Sequence, residues 1–124
     1  MTIAFWCVLI AGLMPLAFAG IAKFGDRSFN NRRPREWYRS LDGYRQRAWW
    51  AQQNTLEAFP LFAVAVVIAH IAGADPTTVD AWAIAFVAFR VAYGVCYLAD
   101  VHLWRSIVWL GGLLCCIALF VTAA

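Results

Sequence analysis

Charged residues are scarce in this 124-residue chain: they make up only 14% of it, whereas 64% of its residues are hydrophobic. A soluble domain typically has about 25% charged and about 45–50% apolar residues. A chain this short buries only about two-thirds of the surface that it exposes when unfolded, so it cannot enclose such an apolar excess in a core. The composition excludes an ordinary soluble globule, a disordered tail and a disulfide scaffold. It indicates a small integral membrane protein of one domain.

The usual signatures of metal and nucleophile chemistry are also absent. The two histidines, His70 and His102, have no Cys, His or carboxylate partner at metal-ligand spacing, so we expect no metal site. The four cysteines form no CxxC motif, and small apolar packing is the default role of such side chains. The sequence has neither a glycine-rich phosphate loop nor a nucleophile elbow.

Four segments are apolar and long enough to cross a bilayer. A helix of about 20 residues rises about 30 Å, which is the thickness of the hydrocarbon core. Thr77 is the predicted N-cap of the third helix, with Asp80 in its first turn. We therefore predict an all-α, four-helix transmembrane bundle in which residues 1–124 form a single domain. The predicted helices cover residues 3–22, 47–72, 78–99 and 104–122.

Basic residues are concentrated in the loop of residues 23–46 and at its boundary. Eight of the ten Lys and Arg residues lie between Lys23 and Arg47, together with only three acids. The positive-inside rule places this loop on the cytoplasmic side and both termini on the opposite side. Nucleic-acid binding is the weaker interpretation, because a basic run alone is poor evidence for it. We expect a multi-pass protein in contact with membrane lipids and no nucleic-acid partner.

Two charged residues interrupt the apolar spans near mid-membrane. Glu57 and Arg90 each lie about ten residues into their helices, which corresponds to a depth of about 15 Å. A lone charge there costs about 2.5–3.5 kcal/mol, and an ion pair would offset much of this cost. We therefore predict an ion pair between Glu57 and Arg90, which could hold the helices together or take part in a site.

Polar residues also share one face on the second helix and one face on the third, at steps of three and four residues. They are Arg47, Asn54 and Glu57 with either Trp50 or Ala51 on the second helix, and Arg90, Tyr93, Tyr97 and Asp100 on the third. Two such faces meeting inside a bundle, and opening toward the basic loop, predict a cavity for a polar, anionic molecule. The alternative is that these polar groups only join the helices.

Residues 47–60, RAWWAQQNTLEAFP, resemble the second-helix signature of the MAPEG family, the membrane-associated proteins in eicosanoid and glutathione metabolism. Residues 89–97, FRVAYGVCY, resemble the third-helix pattern of that family. Residues 31–35, NRRPR, are similar to the loop of its short bacterial members. The resemblance covers essentially the whole chain.

This resemblance implies a homotrimer in a bacterial inner membrane, with active sites between subunits near the cytoplasmic face. It implies glutathione as co-substrate, no metal, and a lipophilic small molecule as second substrate. Arg105 would be the catalytic residue, because a cation near sulfur lowers the pKa of a thiol and favours the thiolate. The residues expected to bind glutathione are Arg47, Gln52, Asn54, Glu57, Tyr93 and Tyr97, together with Arg90 on the polar face of the third helix.

The chain departs from the family pattern at three positions. Trp50 stands where several family enzymes have a second Arg, and Ala58 stands where some members have Tyr. Arg105 lies one position from the expected catalytic Arg, with Trp104 at the direct match, so it could instead anchor its helix at the membrane boundary. Our leading hypothesis is a glutathione-dependent transferase or peroxidase. A non-catalytic lipid-binding or scaffold protein is the alternative, and a small multidrug exporter that couples protons through Glu57 is the third.

Overall fold

A computed structural model describes all 124 residues, and its regular elements are all helices. The four longest helices are each long and apolar enough to cross a membrane. The predicted all-α architecture with four membrane-spanning helices is therefore confirmed. In chain order the helices are α1 (Ile3–Lys23), α2 (Pro34–Arg39), α3 (Gly43–Ile71), α4 (Pro76–Leu98) and α5 (His102–Ala123).

The basic segment of residues 23–46, which we predicted as a loop, contains the short helix α2 and the start of α3. α3 begins at Gly43, four residues before the predicted start at 47, because its Arg and Gln residues are good helix formers outside the hydrocarbon core. The six-residue α2 begins with Pro34, a residue suited to the first helical position. Trp37 of α2 is buried in a small cluster with Ala22 and Leu41.

The long helices pack as two extensive pairs, α1 with α3 and α4 with α5, and α3 also contacts α4 and α5. Alanine and cysteine dominate the main core, and such small side chains let helix backbones approach closely in a membrane. Near the middle of the bundle the rings of Phe62 and Phe86 stack with their centroids 3.9 Å apart. The main core contains Ala4, Cys7, Ala11, Phe62, Ala65, Val66, Ala69, Val79, Ala83, Phe86, Cys115, Cys116 and Leu119.

The turn between α3 and α4 corrects the predicted helix start. The N-cap of α4 is Asp75, not Thr77: its carboxylate accepts hydrogen bonds from the Thr78 backbone N–H at 2.9 Å and from the Thr78 hydroxyl at 2.7 Å. Asp80 faces α1, where its Oδ1 accepts a hydrogen bond from the backbone N–H of Ala4 at 2.7 Å. Asp80 therefore satisfies a free donor at the start of α1 rather than one in its own helix.

Two arginines, one in the basic segment and one just after it, stabilise the ends of other helices. Arg45 donates from Nη1 to the carbonyl of Ala22 in the last turn of α1, at 2.7 Å. Arg47 donates from Nε and Nη2 to the carbonyl of Leu98, the last residue of α4, at 3.3 and 3.2 Å. Both contacts satisfy a carbonyl near a helix C-terminus and complement the partial negative charge there. We refer to this end of the bundle as the basic end.

Candidate functional site

The centre of the site is the buried guanidinium of Arg90 on α4, which is only 2% exposed. Its Nη2 donates to the side-chain oxygen of Asn54 at 3.0 Å and to the hydroxyl of Thr55 at 2.9 Å, both on α3. Its Nε is enclosed and has no hydrogen-bond partner in the chain. Neutral acceptors, not a carboxylate, therefore hold this cation in place.

The predicted ion pair between Glu57 and Arg90 is wrong. Glu57 is exposed, and the only salt bridge in the chain joins Arg33 to Glu36 at 3.6 Å. The reason is the rotation of α3: Thr55 faces α4, and Glu57 lies about 160° around the helix from Thr55, at about 100° per residue. The carboxylate of Glu57 is thereby left without a cation of its own chain.

Two aromatic rings lie between the two cations Arg90 and Arg105, from Arg90 toward the basic end. The guanidinium carbon of Arg90 lies 4.3 Å from the ring centroid of Tyr93, and the rings of Tyr93 and Tyr97 meet edge to face at 5.5 Å. The guanidinium carbon of Arg105, on α5, lies 4.3 Å from the ring centroid of Tyr97. A cation over an aromatic face is attracted by the ring quadrupole. The guanidinium of Arg105 is thus held over the Tyr97 ring.

Three cavities share Asn54 as a lining residue. The first, which we call the polar groove, has a volume of about 350 Å³ and is lined by Trp50, Gln53, Asn54, Glu57, Tyr93 and Tyr97. The second, the Arg105 groove, has a volume of about 470 Å³ and is lined by Asn54, Tyr93, Arg105, Ser106, Trp109 and Leu110. Amide, carboxylate, phenol and guanidinium groups therefore surround Asn54 on two sides.

The third cavity is mainly apolar and lies between α3, α4 and α5. Its volume is about 210 Å³, and its polar members are at the end near Asn54. Polar groups on one side and hydrocarbon on the other are typical of a site for a small molecule with a polar and a lipophilic part. The lining residues are Asn54, Glu57, Ala58, Leu61, Phe86, Arg90, Trp109, Gly112, Leu113 and Cys116.

A family model described as the MAPEG family matches residues 3–124, which is nearly the entire chain. The chain belongs to the MAPEG family. The comparisons with curated proteins and with solved structures found no significant match. Membership and the four apolar helices together make it a multi-pass integral membrane protein. At the level of the family, the function lies in glutathione-related transfer or peroxide reduction or in lipid metabolism, and the family generally uses glutathione.

Most of the predicted site residues of this MAPEG protein come together around Asn54. They are Glu57, Arg90, Tyr93, Tyr97 and Arg105. Arg47 lies apart, with its guanidinium on the carbonyl of Leu98. Gln52 does not line these three cavities, and its amide oxygen is buried without a hydrogen-bond partner.

The sequence analysis missed several residues that line these cavities, among them Gln53, Ser106 and Trp109. A signal for Trp109 was present, because it follows Arg105 by four residues and so shares its helix face. The site face of α5 could therefore have been predicted by extending the periodicity from Arg105. Gln53 carried the same kind of signal, because it lies three residues after Trp50 and four residues before Glu57.

The histidines of the MAPEG chain lie away from the three cavities, and of its cysteines Cys116 lines the apolar cavity. No three His, Cys, Asp or Glu side chains form a group that could hold a metal ion. His70 donates from Nδ1 to the carbonyl of Val66 at 2.8 Å, so its Nε2 accepts from the Thr2 hydroxyl at 2.9 Å in the neutral form. This pair joins the end of α3 to the start of α1. All four cysteines are free, and three of them pack in the main core.

Proposed function

We propose that this MAPEG protein is a membrane-bound, glutathione-dependent transferase or peroxidase that acts on lipophilic electrophiles or hydroperoxides. The observation that carries the proposal is the position of Arg105. Its guanidinium lies over Tyr97 and lines a groove that shares Asn54 with the apolar cavity. A thiol bound beside Arg105 would therefore meet a lipophilic molecule coming from the apolar side.

The charges around Asn54 complement those of glutathione, which carries two carboxylates and one ammonium at neutral pH. Two guanidiniums, of Arg90 and Arg105, line the cavities together with one carboxylate, of Glu57. Guanidinium groups suit carboxylates because they donate in parallel pairs. The carboxylate of Glu57 has no salt-bridge partner in the chain and is available to an ammonium group. The three cavities around Asn54 together thus support binding of a zwitterionic peptide.

Chemistry at this site would begin with ionisation of the glutathione thiol. The positive charge of Arg105 stabilises the thiolate and lowers the pKa of the thiol, so the proton leaves to solvent. In transfer, the thiolate sulfur forms a bond to an electrophilic carbon and the leaving group departs with the bonding electrons. In peroxide reduction, the thiolate sulfur bonds to the terminal peroxide oxygen, the O–O bond breaks and the alcohol leaves, so that the sulfur carries a hydroxyl as a sulfenic acid. The thiol of a second glutathione then attacks this sulfur, which forms the disulfide and releases the hydroxyl as water.

The proposal extends to assembly and orientation. We propose a homotrimer in the bacterial inner membrane with the basic end cytoplasmic, and we retain Arg47 and Gln52 as glutathione contacts near a subunit boundary. All four long helices keep large hydrophobic side chains exposed, among them Leu13, Val64 and Leu114. Such surfaces require lipid or further copies of the chain around each protomer. Cross-linking in native membranes, with trimers as the expected largest species, checks this part.

The direct test uses purified protein in detergent or nanodiscs. We expect glutathione to raise the melting temperature and to be consumed with 1-chloro-2,4-dinitrobenzene or cumene hydroperoxide. Arg105→Ala should lower kcat by about 10²-fold, the size typical of losing one preorganised stabiliser of a developing anion. Arg27→Ala, in the exposed loop, is the matched control. If glutathione neither raises the melting temperature nor is consumed, the proposal fails.

The non-catalytic alternative, a lipid-binding or scaffold protein, has one observation in its favour. Trp50 stands where several family enzymes have a second Arg, and its ring lies 6.2 Å from that of Tyr97. The polar groove therefore has one cation fewer than the corresponding site of those enzymes. This alternative predicts that Arg105→Ala assembles normally and has no glutathione turnover to lose. Measuring turnover of the unmodified protein against both substrates decides between the two functions.

A further inference from the structure

A second polar groove lies at the basic end, between α2 and the first turns of α3. Its volume is about 270 Å³, and it is lined by Arg35, Tyr38, Arg39, Trp49 and Gln53. It shares only Gln53 with the polar groove and none of its members with the Arg105 groove or the apolar cavity. We call it the α2 groove.

The positive charge of the α2 groove is not compensated within the chain. Arg35 and Arg39 are four residues apart on α2, so their side chains lie on one face of it. Neither forms a salt bridge; the nearest acid in sequence, Glu36, pairs with Arg33. Two guanidiniums beside one cavity without a carboxylate form a site for an anion.

The rest of the groove is rigid and aromatic. The rings of Tyr38 and Trp49 stack at 5.7 Å with an interplanar angle of 22°, and the ammonium of Lys23 lies 5.8 Å from the Tyr38 ring centroid. α2 is fixed in place because Trp37 is buried and donates from its indole nitrogen to the hydroxyl of Ser28 at 3.0 Å. The two guanidiniums are therefore presented by a packed element.

The position of the α2 groove along the bundle axis indicates which kind of anion it binds. Trp49 lies in the mixed first turns of α3, before the purely apolar run that begins at Leu61, and Trp and Tyr concentrate at the interface between lipid headgroups and hydrocarbon. Seven residues further along α3, on the same face, Leu56 is 47% exposed. A molecule with its anionic group at Arg35 and Arg39 can thus lay a hydrocarbon chain along Trp49 and Leu56.

We propose that the α2 groove binds the phosphate of an anionic phospholipid. The guanidiniums of Arg35 and Arg39 hold the phosphate oxygens, for which their fork geometry is suited. Trp49 covers the glycerol region, and the acyl chains run past the exposed Leu56 on the same side of α3. The proposal does not depend on the glutathione chemistry, because it uses other residues.

The test measures the melting temperature of the full-length protein in detergent during titration with lipid. Phosphatidylglycerol should raise the melting temperature, whereas phosphatidylcholine with the same chains and inorganic phosphate should not. The double variant Arg35→Gln/Arg39→Gln should bind phosphatidylglycerol about 30-fold more weakly, from about 1 kcal/mol for each basic residue at a membrane surface. Arg27→Gln/Arg32→Gln removes the same charge from the same segment outside the groove and should bind normally.

Four results would overturn the proposal. Equal loss in both double variants would mean that only net charge matters, and a full response in Arg35→Gln/Arg39→Gln would place the lipid elsewhere. A matching response to inorganic phosphate would assign the groove to a free anion, and displacement of phosphatidylglycerol by glutathione would assign it to the glutathione site. Arg35→Lys/Arg39→Lys keeps the charge without the fork and should bind with intermediate strength, which guards against a folding defect. Glutathione turnover, measured on the same samples, reports separately on the proposed enzyme.

Discussion

The guanidinium of Arg90 lies 3.0 Å from the side-chain oxygen of Asn54, and this contact joins α4 to α3 at the depth of the candidate site. A buried cation is thus held by an amide and by the hydroxyl of Thr55. Nη2 of Arg90 thus has neutral acceptors on α3, whereas Glu57, the one carboxylate nearby, forms no salt bridge. Asn54 and Arg90 therefore both join the two helices and line the apolar cavity.

A double-mutant cycle measures this contact. With Asn54→Ala, Arg90→Ala and the double variant, we expect a coupling energy of about 0.6–1.7 kcal/mol, the range for hydrogen bonds between helices in a membrane. The measurement is the free energy of unfolding in mixed micelles as the denaturing detergent increases.

The matched control is the same cycle between Glu57 and Arg90. We expect a coupling below about 0.5 kcal/mol, the level at which independent sites are additive. A larger coupling for Glu57 than for Asn54 would restore the ion pair and contradict the contact described above.

Glu57 and Arg90 also show what the sequence could and could not predict. The four spans were predictable because uncharged runs of membrane length have few other uses, and the depth of Glu57 and Arg90 followed from counting residues. Whether they meet depends on the rotation of α3 about its axis, which tertiary packing sets. A shift of one or two positions changes the partner of Arg90 from a carboxylate to an amide.

In the polar segments, the predicted and the observed structure differ because neighbouring residues compete for the same role or make contacts with distant helices. Thr77 and Asp75 both fit the start of α4, and Pro76 in the first helical position decides for Asp75. Asp80 was predicted in that same first turn, but it serves α1, a contact between residues 76 positions apart that no local pattern contains. α2 is too short for a periodic signal, and burial of Trp37 depends on packing against the end of α1.

The Asp80 contact with α1 predicts a clear stability effect. Asp80→Ala leaves the backbone N–H of Ala4 without its acceptor, and losing such a capping group costs about 0.5–2 kcal/mol. Asp80→Asn keeps an acceptor oxygen and should recover most of the loss. The free energy of unfolding measures both. Asp42→Ala removes an N-cap side chain that makes no hydrogen bond, so it should change stability by less than about 0.5 kcal/mol. A loss as large as that of Asp80→Ala would contradict this assignment.

Gly94 on α4 lies against the ring of Phe18 on α1. A Cβ at this position would overlap the buried ring of Phe18, so Gly94→Ala should destabilise the bundle by about 1–3 kcal/mol through overpacking. Gly20, in the last turns of α1, has no neighbour within 4 Å of such a Cβ. Gly20→Ala should therefore be neutral or slightly stabilising, because Ala is the better helix former. Melting temperatures of the two variants in the same detergent compare them, and equal effects would exclude a close approach at Gly94.

The Asp75 cap predicts a pH dependence at the start of α4. Hydrogen bonds from the Thr78 hydroxyl and backbone N–H hold the pKa of the Asp75 carboxyl below its usual range. A lowered folded-state pKa gives stability that is present above the unfolded value of about 3.9 and is lost as pH falls through the folded value. Asp75→Asn still caps the helix but does not titrate. The unmodified protein should therefore melt at a higher temperature than Asp75→Asn at pH 6, and this difference should disappear below pH 4.

Asp100→Asn is the comparison for this pH series, since Asp100 is exposed outside the helices and its carboxylate forms no hydrogen bond or salt bridge with the chain. It should show no such difference between pH 6 and acid. If Asp75→Asn lost stability with pH in parallel with the unmodified protein, the cap would not be the titrating contact.

The contact between Arg105 and Tyr97 predicts how the proposed activity depends on the aromatic ring. Tyr97→Phe keeps a ring beneath the guanidinium and should keep most of kcat/KM. Tyr97→Leu removes it and should lower kcat/KM for glutathione by about 2- to 30-fold, the equivalent of the about 0.5–2 kcal/mol of a cation–π contact. Tyr44, whose ring lies 5.2 Å from the guanidinium carbon of Arg45 in the basic segment, offers the matched control Tyr44→Leu, which should leave kcat/KM unchanged. Equal losses for Tyr97→Phe and Tyr97→Leu would mean that the phenol, not the ring, is the group that matters.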